Sequence, residues 1–363
     1  MKVLFDHQIF SDQIYGGISR YHYELLKNLP KVGIDVDLSV KFSNNYYIRN
    51  KDVSRHTHFF PRFNLKLRND FIRKKNQALS VQSIRVSDFD IFHPTYYNEY
   101  FLAALESVHK PFVLTIHDMT LEKLCSKDPS LFIKRRLIQG AVGIIAISEN
   151  TKKDIIEMEL VPPERIQVIY HGADSSFGSY ICSPKGMRWD NYLLFVGARH
   201  KYKNFDRLLI VFEALTQKDK DLRLICTGSS FTQEEKSRLN YLGISEKVKS
   251  ISCRDSELAW LYKHARALVF PSLYEGFGFP ILEAFQMSCP TALSTTSCFP
   301  EIAGDAAAYF NPNDDDSMYE TLLELLSSPL FCQDLVKKGK LRLSCFSWNK
   351  TAWQTAELYR SLI

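Results

Sequence analysis

Twelve short β-rich runs, arranged in two sets of six with helical patterns between them, constrain this chain more than any other feature. The first set covers residues 3–7, 36–40, 89–93, 112–117, 143–147 and 166–171. After a loop at 175–190 that contains Gly178, Pro184 and Gly186, the pattern restarts at 192–196, 222–227, 248–252, 267–270, 291–294 and 307–310. Strands alternating with helices read as βαβ units, so each set predicts a parallel sheet with helices on both faces. The fold class is therefore α/β with two doubly wound domains: residues 1–174, a linker at 175–190, and residues 191–348. A length of 363 residues is too great for one ordinary core of about 100–200 residues and agrees with two. Such sheets bind ligands beyond the C-terminal ends of their strands, where the strand order reverses, and two of them facing each other would form a deep cleft. The chain's end, with Trp348, Trp353, Leu358 and Tyr359, is an aromatic amphipathic helix. Its placement stays open: residues 349–363 pack back on the first domain and across both, or they cap the second.

Composition excludes several classes. With 45% hydrophobic and 24% charged residues the chain is neither disordered nor membrane-spanning, and its longest apolar runs fall far short of the roughly 20 residues a bilayer span needs. Residues 1–6 reach Asp6 after three apolar side chains, too soon for a signal peptide, and read as a first strand. Eight cysteines are scattered without any C-x-x-C spacing, which fits a reduced compartment and not a zinc site. The formal charge of +5 is too mild to imply nucleic acid, but residues 51–75 alone carry eight basic side chains against Asp52 and Asp70.

Several constellations lie just after predicted strands, where ligands are expected. Gly16-Gly17 opens an amphipathic helix and lets backbone N–H groups approach a phosphate; it equally suits a tight turn with no ligand. No G-x-G-x-x-G and no Walker lysine accompany it, which counts against nicotinamide or ATP chemistry. Arg199 and Lys203, four residues apart, can grip two phosphoryl groups, the first as a fork and the second as a point charge; the alternative is a solvated basic loop. In 271–283, glycines 276 and 278 bracket Phe277, Pro280 sits where a helix should start, and Glu275 and Glu283 flank the turn. Carboxylates suit sugar diols because each accepts two hydrogen bonds. Glu283 alone could merely favour the helix dipole, an account that leaves Glu275 unexplained. His117 and His93 each end a strand, and His93 is followed by Tyr96 and Tyr97, an aromatic surface suited to a sugar; a lone histidine at such a place is more often structural. The Asp-x-Asp strings at 35–37 and 88–90 fall at the N-terminal ends of predicted strands, and 314–316 reads as a helix start, so no metal site is expected.

This arrangement resembles the metal-independent retaining glycosyltransferases of family four, the glycosyl transferases group 1, with two facing Rossmann-like domains of the GT-B type. The likeness is carried by Glu275 and Glu283 as an E-x7-E motif, by Lys203-Asn204 and Arg199, by the helix at 255–262, and by the segment 303–312. In the first half, Gly16-Gly17, His117-Asp118, Ser148-Glu149 and 171–174 are similar, so the likeness spans nearly the whole chain. One departure is clear: the family commonly has a glycine in the turn before Pro290, where this chain runs Gln286-Met-Ser-Cys.

The resemblance implies roles. Gly17 offers an N–H to a donor phosphate, and Arg199 and Lys203 hold the diphosphate. Glu283 binds the ribose. Glu275 and the backbone of Gly276, Phe277 and Gly278 hold the donor hexose, and His117 reaches its hydroxyls. The loop around Arg254 reads the base, and His93, Tyr96 and Tyr97 are candidates for the acceptor. Transfer would need no protein nucleophile, no metal and no cofactor: the leaving phosphate takes the acceptor's proton. The mannosyltransferase-like branch makes GDP-mannose the leading donor, with UDP-glucose, UDP-N-acetylglucosamine and deoxysugar donors behind it. The expected acceptor is a lipid-linked glycan of bacterial surface polysaccharide (O-antigen or capsule), at the cytoplasmic face of the inner membrane. Cations and apolar residues interleave in 59–75, which suits either an anionic lipid surface or the acceptor side of the cleft. An epimerase of the same fold and an inactive sugar-nucleotide-binding relative remain as alternatives.

Overall fold

The computed structural model describes all residues except 51, 55, 58–64, 125–127, 129 and 175, and gives only the backbone of 65–68. Two compact units result. One comprises Met1–Gly172 together with Ser347–Ile363, and the other Ala173–Phe346.

In the first unit, β1 (Lys2–Phe5), β2 (Asp35–Leu38) and β3 (Ile91–His93) form a parallel sheet in the order β2-β1-β3. A second parallel sheet, β4 (Val113–Ile116), β5 (Gly143–Ala146) and β6 (Ile166–Val168), keeps its sequence order. A single parallel bridge between Phe92 and Phe112 joins the two into one layer. Strands β4 and β5 are buried at every position. Complete burial is what helices on both faces impose and explains their unbroken apolar sequence.

The second unit carries one six-stranded parallel sheet, built from β7 (Tyr192–Phe195), β8 (Arg223–Thr227), β9 (Val248–Ile251), β10 (Ala267–Phe270), β11 (Thr291–Ser294) and β12 (Ala308–Phe310). Their order is β12-β11-β10-β7-β8-β9. Alternate residues of β7 point into separate cores: Leu193 and Phe195 meet the helix Phe205–Lys218, while Tyr192 and Leu194 pack with Leu261, Tyr262 and Ala284. The order reverses between β7 and β10, which opens a crevice at their C-terminal ends.

Residues 176–190, expected as a linker, are part of this unit. Phe177 is buried in its core against Tyr262, and Met187 and Trp189 pack on the same cluster. A run rich in turn residues reads as a linker, but its aromatic and apolar side chains supply an edge of the core. The last helix, Trp348–Ser361, packs in the first unit and not as a cap on the second. Thr351 donates to the carbonyl of Tyr170 at 2.7 Å, and Arg360 to that of Val32 at 2.6 Å. Where the chain turns back, Gly172 lies so close to Trp348 that an added Cβ would stand 2.2 Å from its backbone nitrogen.

The departure in the turn before Pro290 has a backbone explanation. Ser288 takes the left-handed conformation at φ 57°, and the N–H groups of Ser288 and Cys289 close the helix Phe279–Gln286 on the carbonyls of Phe285 and Ala284. The turn keeps a shape that glycine adopts freely, with serine bearing strain of roughly 1–2 kcal/mol. Ser288→Gly is expected to raise stability by up to about 1 kcal/mol, read as a higher urea midpoint with unchanged slope.

Candidate functional site

Strand β7 runs into Gly197, whose φ of 122° turns the chain toward a short 3-10 turn, Lys201–Lys203. Asn204 ends that turn in the left-handed conformation at φ 58°, and its side-chain amide donates to the carbonyl of Pro312 at 2.7 Å. Asparagine tolerates this backbone better than most residues, which accounts for the Lys-Asn pair. Across the crevice, the loop after β10 is tied to the same turn by the N–H of Leu273, which donates to the carbonyl of Tyr202 at 2.8 Å. The two loops thereby bring Lys203 Nζ to 2.5 Å from Glu275 Oε1, with both side chains mostly buried. The ammonium also lies 5.3 Å from the ring centres of Tyr202 and Phe270. Ser297 holds the backbone of Glu275: its hydroxyl accepts from the Glu275 N–H at 3.0 Å and donates to its carbonyl at 2.5 Å.

Gly278, at φ 93°, caps the helix Phe279–Gln286, with Pro280 in its first turn. A side chain at 278 would be strained by that φ, and its Cβ would also approach Ile281 to 3.0 Å. Gly276 and Phe277 are buried, and the Phe277 ring packs on Phe279 and Phe346, away from any role as a side-chain ligand. One turn into the helix, Glu283 accepts a 3.0 Å hydrogen bond from the buried hydroxyl of Tyr262. Burial, reinforced by the Glu283 charge, pushes the Tyr262 phenol well above its usual range, so it stays a donor. Glu275 and Glu283 thus flank one turn, each held by a neighbour.

Arg199 is placed differently from its expected grip on phosphate. Its guanidinium pairs with Glu235 at 2.6 and 3.3 Å, donates to the carbonyls of Ser229 and Ser230, and lies 4.8 Å from the ring of Phe231. Only 4% of the side chain is exposed. Glu235 meanwhile forms the capping box of the helix Gln233–Tyr241 with Thr232, which fixes the carboxylate that holds the arginine. Nη1 alone has no hydrogen-bond partner among the described residues. Arg199 lines a cavity of about 440 Å³ together with His200, Lys201, Thr232 and Arg238. Arg254 is exposed at a helix start, paired with Glu257 at 3.3 Å.

In the first unit the strand order also reverses, at β1. Buried Asp6, which sequence reasoning passed over, ties the loop after β1 to the loop after β3. It accepts from the Thr95 N–H at 2.8 Å, the Thr95 hydroxyl at 2.7 Å, Gln8 at 2.7 Å and Tyr100 at 3.0 Å. Gly17 starts the helix Gly17–Asn28, and the Gln13 side chain accepts the Ser19 N–H there at 3.3 Å. His117 follows β4 and is buried, with no partner for Nε2 among the described residues. The loop that carries it is held by Lys134, which donates to the Asp118 carbonyl at 2.6 Å and pairs with Glu122 at 3.0 Å in a buried ion pair that the sequence did not announce.

His93 is corrected as an acceptor residue. It is fully buried, with Nδ1 2.5 Å from the Tyr359 hydroxyl and Nε2 2.9 Å from the Thr115 hydroxyl, which also meets Tyr21 at 3.1 Å. It anchors the last helix and has no surface for a ligand. Tyr97 accepts the His117 N–H at 2.9 Å and lies beneath Lys134, so of this group Tyr96 alone presents an exposed ring. The aspartate pairs gather at the opposite strand ends: Lys2 reaches Asp88 at 2.7 Å and Asp37 at 3.8 Å, and its N–H donates to Asp90. Asp314 caps the helix Asp315–Ser327. Among the described residues no cluster of His, Cys, Asp or Glu has a metal-holding arrangement, and no helix is long and apolar enough to cross a membrane. Of the basic segment 59–75, residues 59–64 and the side chains of 65–68 lie outside the described residues, as does Cys125; the seven described cysteines are free.

Residues 188–342 match the family "Glycosyl transferases group 1", and residues 15–177 match "Glycosyltransferase Family 4". The chain is 27% identical over 275 residues to O-antigen chain mannosyltransferase B of Escherichia coli, covering 69% of this chain and 70% of that protein. It is also 27% identical to MMP alpha-(1->4)-mannosyltransferase of Mycolicibacterium hassiacum, with 79% and 74% covered. Among solved structures, Anabaena Alr3699/HepE in complex with UDP-glucose superposes with a TM-score of 0.76 at 17% identity, covering 99% of this chain and all of that one. Sucrose-phosphate synthase from Thermosynechococcus elongatus does so with a TM-score of 0.73, also at 17% identity, covering 99% and 98%.

Burial holds both His93 and His117 down to about 3. Each is therefore neutral in the folded protein but takes a proton near 6.5 when unfolded, so stability is full above that pH and lost as pH falls from 6.5 toward 3. The slope should reach about 1.4 kcal/mol per pH unit for each histidine, measured by urea unfolding between pH 7 and pH 5. Tyr359→Phe leaves the buried His93 Nδ1 unpartnered and is expected to lower stability by about 1–3 kcal/mol in the same assay.

Proposed function

The chain belongs to the family-four glycosyltransferases, the glycosyl transferases group 1, with the GT-B fold, and from that premise we propose that it moves a hexose, with retention and without a metal ion, from a nucleoside diphosphate sugar to a glycan hydroxyl. The observation that carries this reading is the Lys203–Glu275 pair at the reversal point between β7 and β10, with Glu283 held by Tyr262 one helix turn away. A buried ammonium there meets the charge that develops on a leaving phosphate, which is the main task when the protein supplies no nucleophile. In this reading Glu275 and the N–H groups of 276–278 hold the hexose, and Glu283 accepts from the ribose diol. Gly17 offers an N–H to phosphate, and the 252–254 loop meets the base. His117 Nε2, buried and without a described partner, suits a sugar hydroxyl.

Arg199 acts here through its loop. Locked on Glu235 and on the carbonyls of Ser229 and Ser230, it fixes the segment after β8, and its one unpartnered nitrogen is what it retains for an anion. Metal independence is supported by the positions of the aspartate pairs, which Lys2 holds at the strand ends away from the crevice. No cofactor enters the reaction; the nucleotide sugar is a substrate.

The donor we favour is GDP-mannose, supported by the mannosyltransferases among the relatives, those of Escherichia coli and Mycolicibacterium hassiacum included. UDP-glucose stays in the panel because of the Anabaena complex. The acceptor we favour is a lipid-linked oligosaccharide at the cytoplasmic membrane surface, in O-antigen or capsule assembly, with the cations of 59–75 facing anionic lipid. A nucleotide-sugar panel in a thermal-shift screen, followed by mass analysis of the glycan product, tests donor and acceptor in turn. Lys203→Ala should lower turnover about 10²–10³-fold while the far-UV circular dichroism stays that of the folded protein, with some fall in the unfolding midpoint because Glu275 loses its partner. Turnover near that of the unaltered enzyme would remove Lys203 from the mechanism.

A further inference from the structure

With His93 withdrawn to the core, the first unit offers another aromatic surface that no sequence motif announced. Three segments build it. Tyr15 precedes the Gly16-Gly17 turn, Tyr23 lies on the helix Gly17–Asn28, and Tyr46 and Tyr47 follow β2. The Tyr15 and Tyr47 rings stack at 5.3 Å and 23°, and Tyr23 stacks on Tyr47 at 6.0 Å and 29°. Tyr46 stands edge-on to both Tyr15 and Tyr47, at 5.6 and 5.4 Å. Such rings are rarely left in water, yet Tyr15 is 52% and Tyr46 46% exposed, and neighbouring Ile14 is 60% exposed.

The surface is rigid. The Tyr46 N–H donates to the Ile14 carbonyl at 2.8 Å, Asn45 donates to the Gln13 carbonyl at 2.8 Å, and the Tyr47 N–H donates to Asn45 at 3.0 Å. The loops at 13–15 and 45–47 are thus cross-linked, and little conformational freedom is left for a ligand to remove. Both loops follow C-terminal strand ends, the edge of a parallel sheet where ligands bind.

We propose that Tyr15, Tyr23, Tyr46 and Tyr47 form a binding platform for an oligosaccharide, the sugars of the acceptor that lie beyond the reacting hydroxyl. This rests on the glycosyltransferase reading and extends it by giving the acceptor a site. A tyrosine ring presents an apolar face to the C–H face of a pyranose and a phenol to its hydroxyls, at the low entropy cost of two torsions. Charge favours a glycan over a bilayer. A lipid-seeking surface needs basic side chains projecting toward headgroups. Here Lys27 and Arg49 lie over the rings of Tyr23 and Tyr46, at 5.6 and 5.5 Å, and Asp52 accepts the Tyr23 hydroxyl at 2.7 Å. Among the described residues the rim is mixed in sign and drawn onto the rings, which suits an uncharged chain of sugars.

The test uses the full chain with mannotriose, maltotriose and chitotriose as probes, by saturation-transfer NMR and calorimetry, alongside GDP and UDP. At least one trisaccharide should bind the unaltered protein. Tyr15→Ala with Tyr46→Ala should weaken that binding at least tenfold, while Tyr15→Phe with Tyr46→Phe should keep it within about threefold, and all three proteins should bind nucleotide equally. No trisaccharide binding, or binding that survives the alanine pair, overturns the platform. So does adsorption to phosphatidylglycerol vesicles that the alanine pair abolishes while trisaccharide binding is untouched. If trisaccharide binding depends on the tyrosines but no nucleotide sugar is turned over, the platform stands and the proposed reaction is what fails.

Discussion

Lys203 and Glu275 are 72 positions apart in the chain, and they meet because the strand order of the second sheet reverses between β7 and β10. At a reversal the helices after two adjacent strands leave on opposite faces, so their loops part and the space between them is not filled by either helix. A cation and a carboxylate brought there are only partly hydrated, and each needs the other while no ligand is present. The pair keeps the crevice electrically balanced, and under the proposed reaction a phosphate would have to draw the ammonium from the glutamate. Much of the second unit serves that geometry: Asn204 ends the 3-10 turn, Leu273 ties the two loops, and Ser297 clamps the backbone of Glu275.

The first unit solves the same problem with a different group. Its order reverses at β1, and there Asp6 takes five hydrogen bonds from described residues of both flanking loops. A buried carboxylate surrounded by donors costs less to bury than a bare one, and it fixes the backbone from which the Gly16-Gly17 turn departs. Around it, the chain of contacts from Tyr359 through His93 and Thr115 to Tyr21 is a closed polar network inside an apolar layer. Such networks specify one packing because every member has a fixed partner.

Local pattern carried the architecture and only part of the site. All twelve strands were legible, the inner ones because burial on both faces forces short apolar runs and the half-exposed edge strands β2 and β9 because they fall in place in the strand-helix alternation, and the paired glutamates with their glycines and Pro280 were legible because a strand-turn-helix leaves that spelling. What sequence spacing did not carry was partnership across the fold. Arg199 read as a phosphate grip because nothing near it in sequence shows Glu235, which itself reads as half of a capping box. His93 read as an acceptor candidate beside the commoner structural role, and the spacing could not decide because its partner Tyr359 stands 266 positions away. The tyrosine platform is built from residues 15, 23 and 46–47, and no single window contains it. Ser288 shows the converse: a missing glycine changed the spelling of a turn but not its course, because the helix end dictates the backbone and serine can be held there.

The two crossings of the chain at Gly172 and Ser347 make the second unit a continuous stretch and the first a divided one. The second unit can close from residues 173–346 alone, whereas the first needs the helix Trp348–Ser361 and with it Tyr359, the partner of a fully buried histidine. The unit that begins the chain is therefore the one whose closure depends on residues beyond the other. Until that helix docks, His93 lacks its hydroxyl partner, so closure of the first unit is tied to a contact that spans 266 positions of the chain.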